Sequence, residues 1–199
     1  MNSLIYIFKN LIKSSEILMR YYLPKNLKGS HAVCGFSRCG NVFLNRKFRL
    51  NSDIQVVDQH YHSAAYGNIL LKKGVNVLFI IRDPKDCILS NKVYFPHLTI
   101  TSIYLSYIFY LLKIKGSKYI IDFNDFTNNS FKYQNMCKSF IGENNFNNLP
   151  SDEEVKKWIL SEKDSNNEAQ ISAPTAKKEA EKSKYIKQVE NHFLRNISF

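Results

Sequence analysis

Two stretches of this chain combine arginine with small residues at a spacing suited to holding phosphate groups. The first runs from Gly35 through Phe36, Ser37, Arg38, Cys39, Gly40, Asn41, Val42 and Phe43 to Leu44. The second is Arg82-Asp83-Pro84-Lys85-Asp86-Cys87-Ile88-Leu89-Ser90. Each follows a short apolar run and leads into a segment of helical spacing. A turn of small residues between strand and helix offers backbone N–H groups and the positive helix end to an anion. Arg38 adds a planar, bidentate donor. Arg82 and the Ser90 hydroxyl together make a receptor for a terminal phosphate. Two such turns side by side would grip a ligand with phosphates at both ends.

Those turns need a frame. Apolar runs at 32–36, 53–57, 75–81 and 118–122 read as strands. Between them lie segments long enough for crossover helices: 42–49, 64–72, and 85–91 continuing to 99–115. This alternation predicts an α/β fold with a central, mostly parallel sheet flanked by helices. Ligands of such sheets bind beyond the carboxyl ends of the strands, where both arginine turns fall. Downstream, 129–140 reads as a helix ended by Gly142, and 144–148 as an Asn-rich loop. Ser151 and Glu154 have the spacing of a capping box, 161–175 reads as a polar loop, and 176–195 as a basic helix.

The 199 residues suit one domain with an appendage: an amphipathic helix and connector over 1–30, then an α/β domain over 31–199. In the N-terminal segment Leu4, Phe8, Leu11 and Ile12 share a face, with Lys9 and Lys13 to one side. That pattern fits a helix packed on the domain, or one that lies on a membrane surface or binds a partner. Charges at Lys9, Lys13, Glu16 and Arg20 exclude a signal peptide's apolar core and a membrane span, and the apolar run 98–112 is short for a span. Lys and Arg number 28 against 17 Asp and Glu, a balance of +11 that favours anionic partners. Cys34, Cys39, Cys87 and Cys137 form no C-x-x-C pair. They read as reduced, inert thiols, and the chain as cytoplasmic. No nucleic-acid motif is present.

The first turn is an incomplete Walker A motif, because Arg38-Cys39-Gly40-Asn41 replaces its Gly-Lys-Ser/Thr end. The usual Mg²⁺ ligand is missing, which weighs against an ATPase, a GTPase or a kinase-like phosphotransferase. The residues fit a phosphate site that works without metal. Asp58, His60 and His62 alternate at period two, the spacing of a metal site on a strand. No further ligand pair accompanies them, so no metal is expected.

From Ser37 to Phe43 the chain resembles the 5′-phosphosulfate loop of the sulfotransferases that use 3′-phosphoadenosine 5′-phosphosulfate (PAPS). Arg82, Asp83, Pro84, Asp86 and Ser90 match that family's 3′-phosphate segment. Phe123-Asn124-Asp125-Phe126 is similar to its Tyr-Glu-Asp-Leu, and 150–159 to its Leu-x-x-Glu-x-Val. The resemblance spans about residues 31–160 with all four features in order. It implies a P-loop-like three-layer fold and transfer of a sulfuryl group from PAPS to a hydroxyl or amine of a small molecule or glycan. Ser37, Arg38, Cys39, Gly40, Asn41 and Val42 would hold the 5′ end of the donor, Arg82 and Ser90 the 3′-phosphate. His60 would be the base, with His62 as alternate, and Arg38 would stabilise the leaving group. The family's loop hydroxyl is replaced by Val42, and its C-terminal Arg-Lys-Gly-x-x-Gly segment is absent, leaving Lys177, Lys178, Lys182 and Lys184 as substitutes. An inactive homologue that binds PAP, the desulfated product, is the alternative. Acceptor contacts are expected from 61–67, 94–100 and 161–175.

Overall fold

Short β-rich runs whose side chains are all apolar must be covered on both faces, and helices between them do the covering. In the computed structural model, residues 3–13, 15–19, 31–57, 62–114, 116–161 and 176–197 are described. The chain begins with helices α1 (Ser3–Lys13) and α2 (Glu16–Met19), followed by strand β1 (His31–Gly35) and α3 (Asn41–Arg49). Next come α4 (Ala64–Lys72), β2 (Asn76–Ile81), α5 (Pro84–Tyr94), α6 (Ile100–Lys113) and β3 (Tyr119–Asp122). After the sheet follow α7 (Phe123–Thr127), α8 (Phe131–Ile141), α9 (Glu143–Asn147), α10 (Asp152–Ser161) and α11 (Ala176–Ile197).

The three strands pair in parallel in the order β1-β2-β3. Gly35 stands opposite Ile80, Ile80 opposite Ile121, and Ile81 opposite Asp122, so the carboxyl ends are flush. In the central strand Val77, Leu78, Phe79 and Ile80 are fully buried, as a strand covered on both faces requires. Edge strand β3 instead alternates, with Tyr119 and Ile121 buried and Ile120 exposed. Helices α3 and α4 pack on β1, α4 also on β2, and α8 on β3. The arrangement is α/β and compatible with a three-layer fold.

The predicted strand 53–57 is a correction. It contributes one isolated parallel bridge, Val56 to His31. Its first half is drawn into a turn instead: the Asp53 N–H donates to Asn51 Oδ1 at 3.0 Å and the Ile54 N–H to the Asn51 carbonyl at 3.2 Å. Asn side chains compete with sheet ladders in this way. The Asn-rich segment expected as a loop holds a single helical turn, α9, with the Asn145 amide donating back to the Ile141 carbonyl at 2.8 Å.

Other local signals match. Asp83 caps α5 by accepting from the Asp86 N–H, and Pro84 takes the first helical position. The Ser151–Glu154 capping box closes in both directions, at 3.3 and 2.7 Å. Gly142, at φ +89°, ends α8.

The N-terminal helix packs on the domain through a different face from its most apolar one. Tyr6 and Asn10 point inward, with Tyr6 against Phe95, while Leu4, Phe8 and Leu11 are exposed. Helical spacing reveals which residues share a face but not which face the neighbours take. No described helix is long and apolar enough to cross a membrane.

Candidate functional site

The flush strand ends bring three connections to one edge of the sheet: the β1–α3 loop at 36–40, the β2–α5 turn at Arg82 and Asp83, and the β3–α7 junction at Phe123. In the first loop the Cys39 N–H donates to the Phe36 carbonyl at 3.1 Å. Arg38 (φ +67°) and Gly40 (φ +81°) both take the left-handed conformation. For Arg38 that conformation costs about 1–2 kcal/mol, strain of the kind that collects at functional sites. Gly40 is the N-cap of α3 and offers no side chain to its first N–H groups, and no acidic residue stands in its first turn. The positive end of a nine-residue helix therefore faces this edge.

Arg82 is anchored by its main chain. Its N–H donates to the Tyr107 hydroxyl at 2.9 Å, and that hydroxyl donates to the Arg82 carbonyl. Tyr110 bridges the Cys34 and Ile80 carbonyls at 3.3 and 3.2 Å, tying β1 to β2 one residue short of the two turns. The Arg82 side chain turns toward the first loop, where Nη1 donates to the Arg38 carbonyl at 2.9 Å. Its guanidinium lies 4.1 Å from the Phe123 ring centroid. Its Nε is buried without a hydrogen-bond partner, and no carboxylate among the described residues pairs with it.

The Arg38 guanidinium sits over Tyr94, 4.8 Å from the ring centroid. Burial lowers its proton affinity, with Tyr94 opposing and the Arg82 charge adding to the lowering. Two guanidiniums thus share one edge at mutual electrostatic cost, which a bound anion would relieve. Ser90 is half-buried on α5, beside Asn91.

Below the loop, Cys39 and Cys87 are fully buried with their sulfurs 3.8 Å apart, and both contact the Ser37 carbonyl. Burial, then Cys39, pushes the Cys87 thiol well above its ordinary range. All four cysteines are free and buried. Asn91, also fully buried, donates to the Ser37 carbonyl at 2.9 Å and to the Cys87 carbonyl at 2.8 Å, locking loop to helix.

The predicted base, His60, lies outside the described residues, as do Asp58 and Tyr61. His62 is described. Its Nδ1 is 3.0 Å from Asn41 Nδ2 and 3.2 Å from the Gly35 carbonyl, and Asn41 Nδ2 also reaches that carbonyl at 3.3 Å. Nδ1 accepts from Asn41 Nδ2 in one tautomer and donates to the Gly35 carbonyl in the other. Either bond holds His62 at the β1–α3 connection. Among the described residues no group of three metal-ligating side chains occurs.

Of the predicted site residues, Ser37, Arg38, Cys39, Gly40 and Arg82 fall on the two adjoining turns, Asn41 and Val42 on the first turn of α3, and Ser90 on α5. Phe126 is core and lies against Gly40, as does the half-buried Phe123, which alone of the two takes the Arg82 guanidinium on its ring. Lys182 and Lys184 pair with Glu179 and Glu181 on their own helix, and the side chains of Lys177 and Lys178 lie outside the described residues, as does 162–175. Sequence reasoning missed Asn91, Tyr107 and Tyr110, and named Tyr94 only as part of an acceptor segment, not as the ring under Arg38. The only available signal was a polar atom recurring on apolar helices. No protein-family model, curated protein or solved structure matches this chain.

Proposed function

We propose that the chain is a PAPS-dependent sulfotransferase on a P-loop-like α/β fold. The observation that carries this reading is the meeting of two arginine-bearing turns at the flush ends of adjacent parallel strands, with Arg82 Nη1 on the Arg38 carbonyl. The donor set fits a nucleotide with a phosphate at each end. It holds two guanidiniums, an uncapped helix start, a buried Arg82 Nε with no partner, and no described carboxylate paired to Arg82.

In this reading the backbone from Ser37 to Val42 and the Arg38 side chain hold the 5′ end of PAPS, and Arg82 and Ser90 hold its 3′-phosphate. Bound PAPS supplies the sulfuryl group. A histidine takes the proton from the acceptor hydroxyl or amine. His60 is the first candidate for that role, and His62, held at the β1–α3 connection through its Nδ1, is the alternate. Arg38 and the N–H groups of Gly40 and Asn41 balance negative charge on the departing phosphate. Arg82 and Ser90 fix the donor's orientation. Val42 gives no hydroxyl to the 5′ side, a loss of about 1.5–3 kcal/mol relative to a loop that has one. The same valine disfavours a Mg²⁺-dependent phosphotransferase.

The test is transfer of radiolabelled sulfate from PAPS to a panel of hydroxyl and amine acceptors by wild type, His60→Ala and His62→Ala, with PAP binding measured alongside. Transfer by wild type, with one histidine variant losing it while binding PAP normally, supports the reading. PAP binding with no transfer to any acceptor favours a non-catalytic nucleotide-binding protein.

A further inference from the structure

Helices α1 and α6 run side by side in the same direction. The Thr99 N–H at the start of α6 donates to Ser3 Oγ at the start of α1. At the other end the Asn68 amide bonds both the Lys113 carbonyl, at 2.7 Å, and Glu16 just beyond α1, at 3.5 Å. Each helix turns an apolar stripe to solvent. On α1, Leu4 is 73% exposed, Phe8 63% and Leu11 43%; on α6, Leu112 is 69% exposed and Leu105 38%. On α2, Ile17 is 72% exposed. This reverses the usual arrangement, because the inward positions of α1 include Tyr6 and Asn10 while its most apolar face is outward.

The charge around this face is one-sided. Segments 3–19, 64–73 and 100–113 carry Lys9, Lys13, Lys72, Lys73 and Lys113 against a single acid, Glu16. Glu16 is already paired with Lys72 at 2.5 Å. Lys72, Lys73 and Lys113 stand where the helices end, and Lys9 is exposed beside the α1 stripe. Exposed aliphatic and aromatic side chains flanked by lysines on an in-plane helix pair match the headgroup boundary of an anionic bilayer. Neither α1 nor α6 is long and apolar enough to cross it.

We infer that the α1–α6 face docks on an anionic lipid surface, with Phe8, Leu11 and Leu112 entering the interface and the lysines meeting headgroups. The inference does not depend on the sulfotransferase reading.

The experiment is co-sedimentation of the full chain with phosphatidylcholine vesicles and with vesicles of about one-third phosphatidylserine. The variants are Phe8→Asp, Lys9→Glu and, as a control on α8, Phe131→Asp, whose side chain is 78% exposed. Unchanged far-ultraviolet circular dichroism verifies folding. Wild type and Phe131→Asp are expected to bind the anionic vesicles. Phe8→Asp should lose about 10-fold or more in partitioning, and Lys9→Glu should weaken binding to anionic vesicles alone. Absent vesicle binding, or equal binding by wild type and folded Phe8→Asp, overturns the inference. So does a concentration-dependent dimer that Phe8→Asp abolishes, which would assign the face to a second copy.

Discussion

Replacing Gly40 with alanine asks whether the β1–α3 loop is held as the structure has it. Two costs add at this position. Gly40 sits at φ +81°, where an L-residue costs about 1–2 kcal/mol relative to glycine. A Cβ there would also stand 2.9 Å from Phe123 Cε2 and 3.1 Å from Phe126 Cε1. Those rings are packed and cannot withdraw freely, so relief by shifting adds about 1–3 kcal/mol. Gly74 separates the two terms, because its φ of +82° is nearly the same but nothing lies within 4 Å of its added Cβ. Gly40→Ala should therefore cost about 2–5 kcal/mol, and Gly74→Ala about 1–2. Urea unfolding followed by fluorescence and circular dichroism measures both, with unchanged slopes as the check on two-state behaviour. Adding Phe123→Leu to Gly40→Ala should recover part of the excess. Equal losses at the two glycines would refute the claim that the aromatic rings close over the loop.

Two further outcomes follow from burial. Burial lowers the proton affinity of His31, whose ring bonds the Phe140 carbonyl at 2.8 Å, a bond that pulls the other way. The unfolded chain therefore binds the extra proton more readily, so this stability is complete above about pH 6.5 and is lost as pH falls below it. His31→Gln should flatten the stability profile on the acid side of that value, and an unchanged profile by urea titration would contradict the assignment. The four cysteines are buried, with the Cys34, Cys87 and Cys137 thiols pushed upward mainly by burial. Ellman's reagent at about pH 8 should find no fast-reacting thiol in the folded chain and four in guanidinium, since the thiolate is the reactive form. One rapid native thiol would contradict the packing around Cys39 and Cys87.

The sheet was readable because its signals are local. Val77 to Ile80 is an unbroken apolar run, and each arginine turn follows a strand and opens a helix, so parallel pairing alone brings the turns together. Capping at Asp83 and Ser151 was readable for the same reason. What failed depends on competition or on partners. Asn51 pulled 53–54 out of strand geometry, and one bridge at Val56 is what remains. The inward face of α1 was set by Phe95 and α6, neighbours about ninety residues away. Asn91 and Tyr107 were invisible because each acts on backbone brought near only by the fold. His60 was chosen by order along the chain. His62 is held by Asn41 or by the Gly35 carbonyl, a contact that spacing cannot reveal.

The donor site is tested most directly by calorimetric titration of the purified chain with PAP, alongside ATP–Mg²⁺ and an Arg82→Ala control. The account predicts micromolar PAP binding in preference to ATP–Mg²⁺. Loss of the Arg82 guanidinium should weaken it by about 10- to 100-fold, the worth of a charge-assisted hydrogen bond to phosphate. No heat with PAP, a preference for ATP–Mg²⁺, or undiminished binding by Arg82→Ala would contradict it.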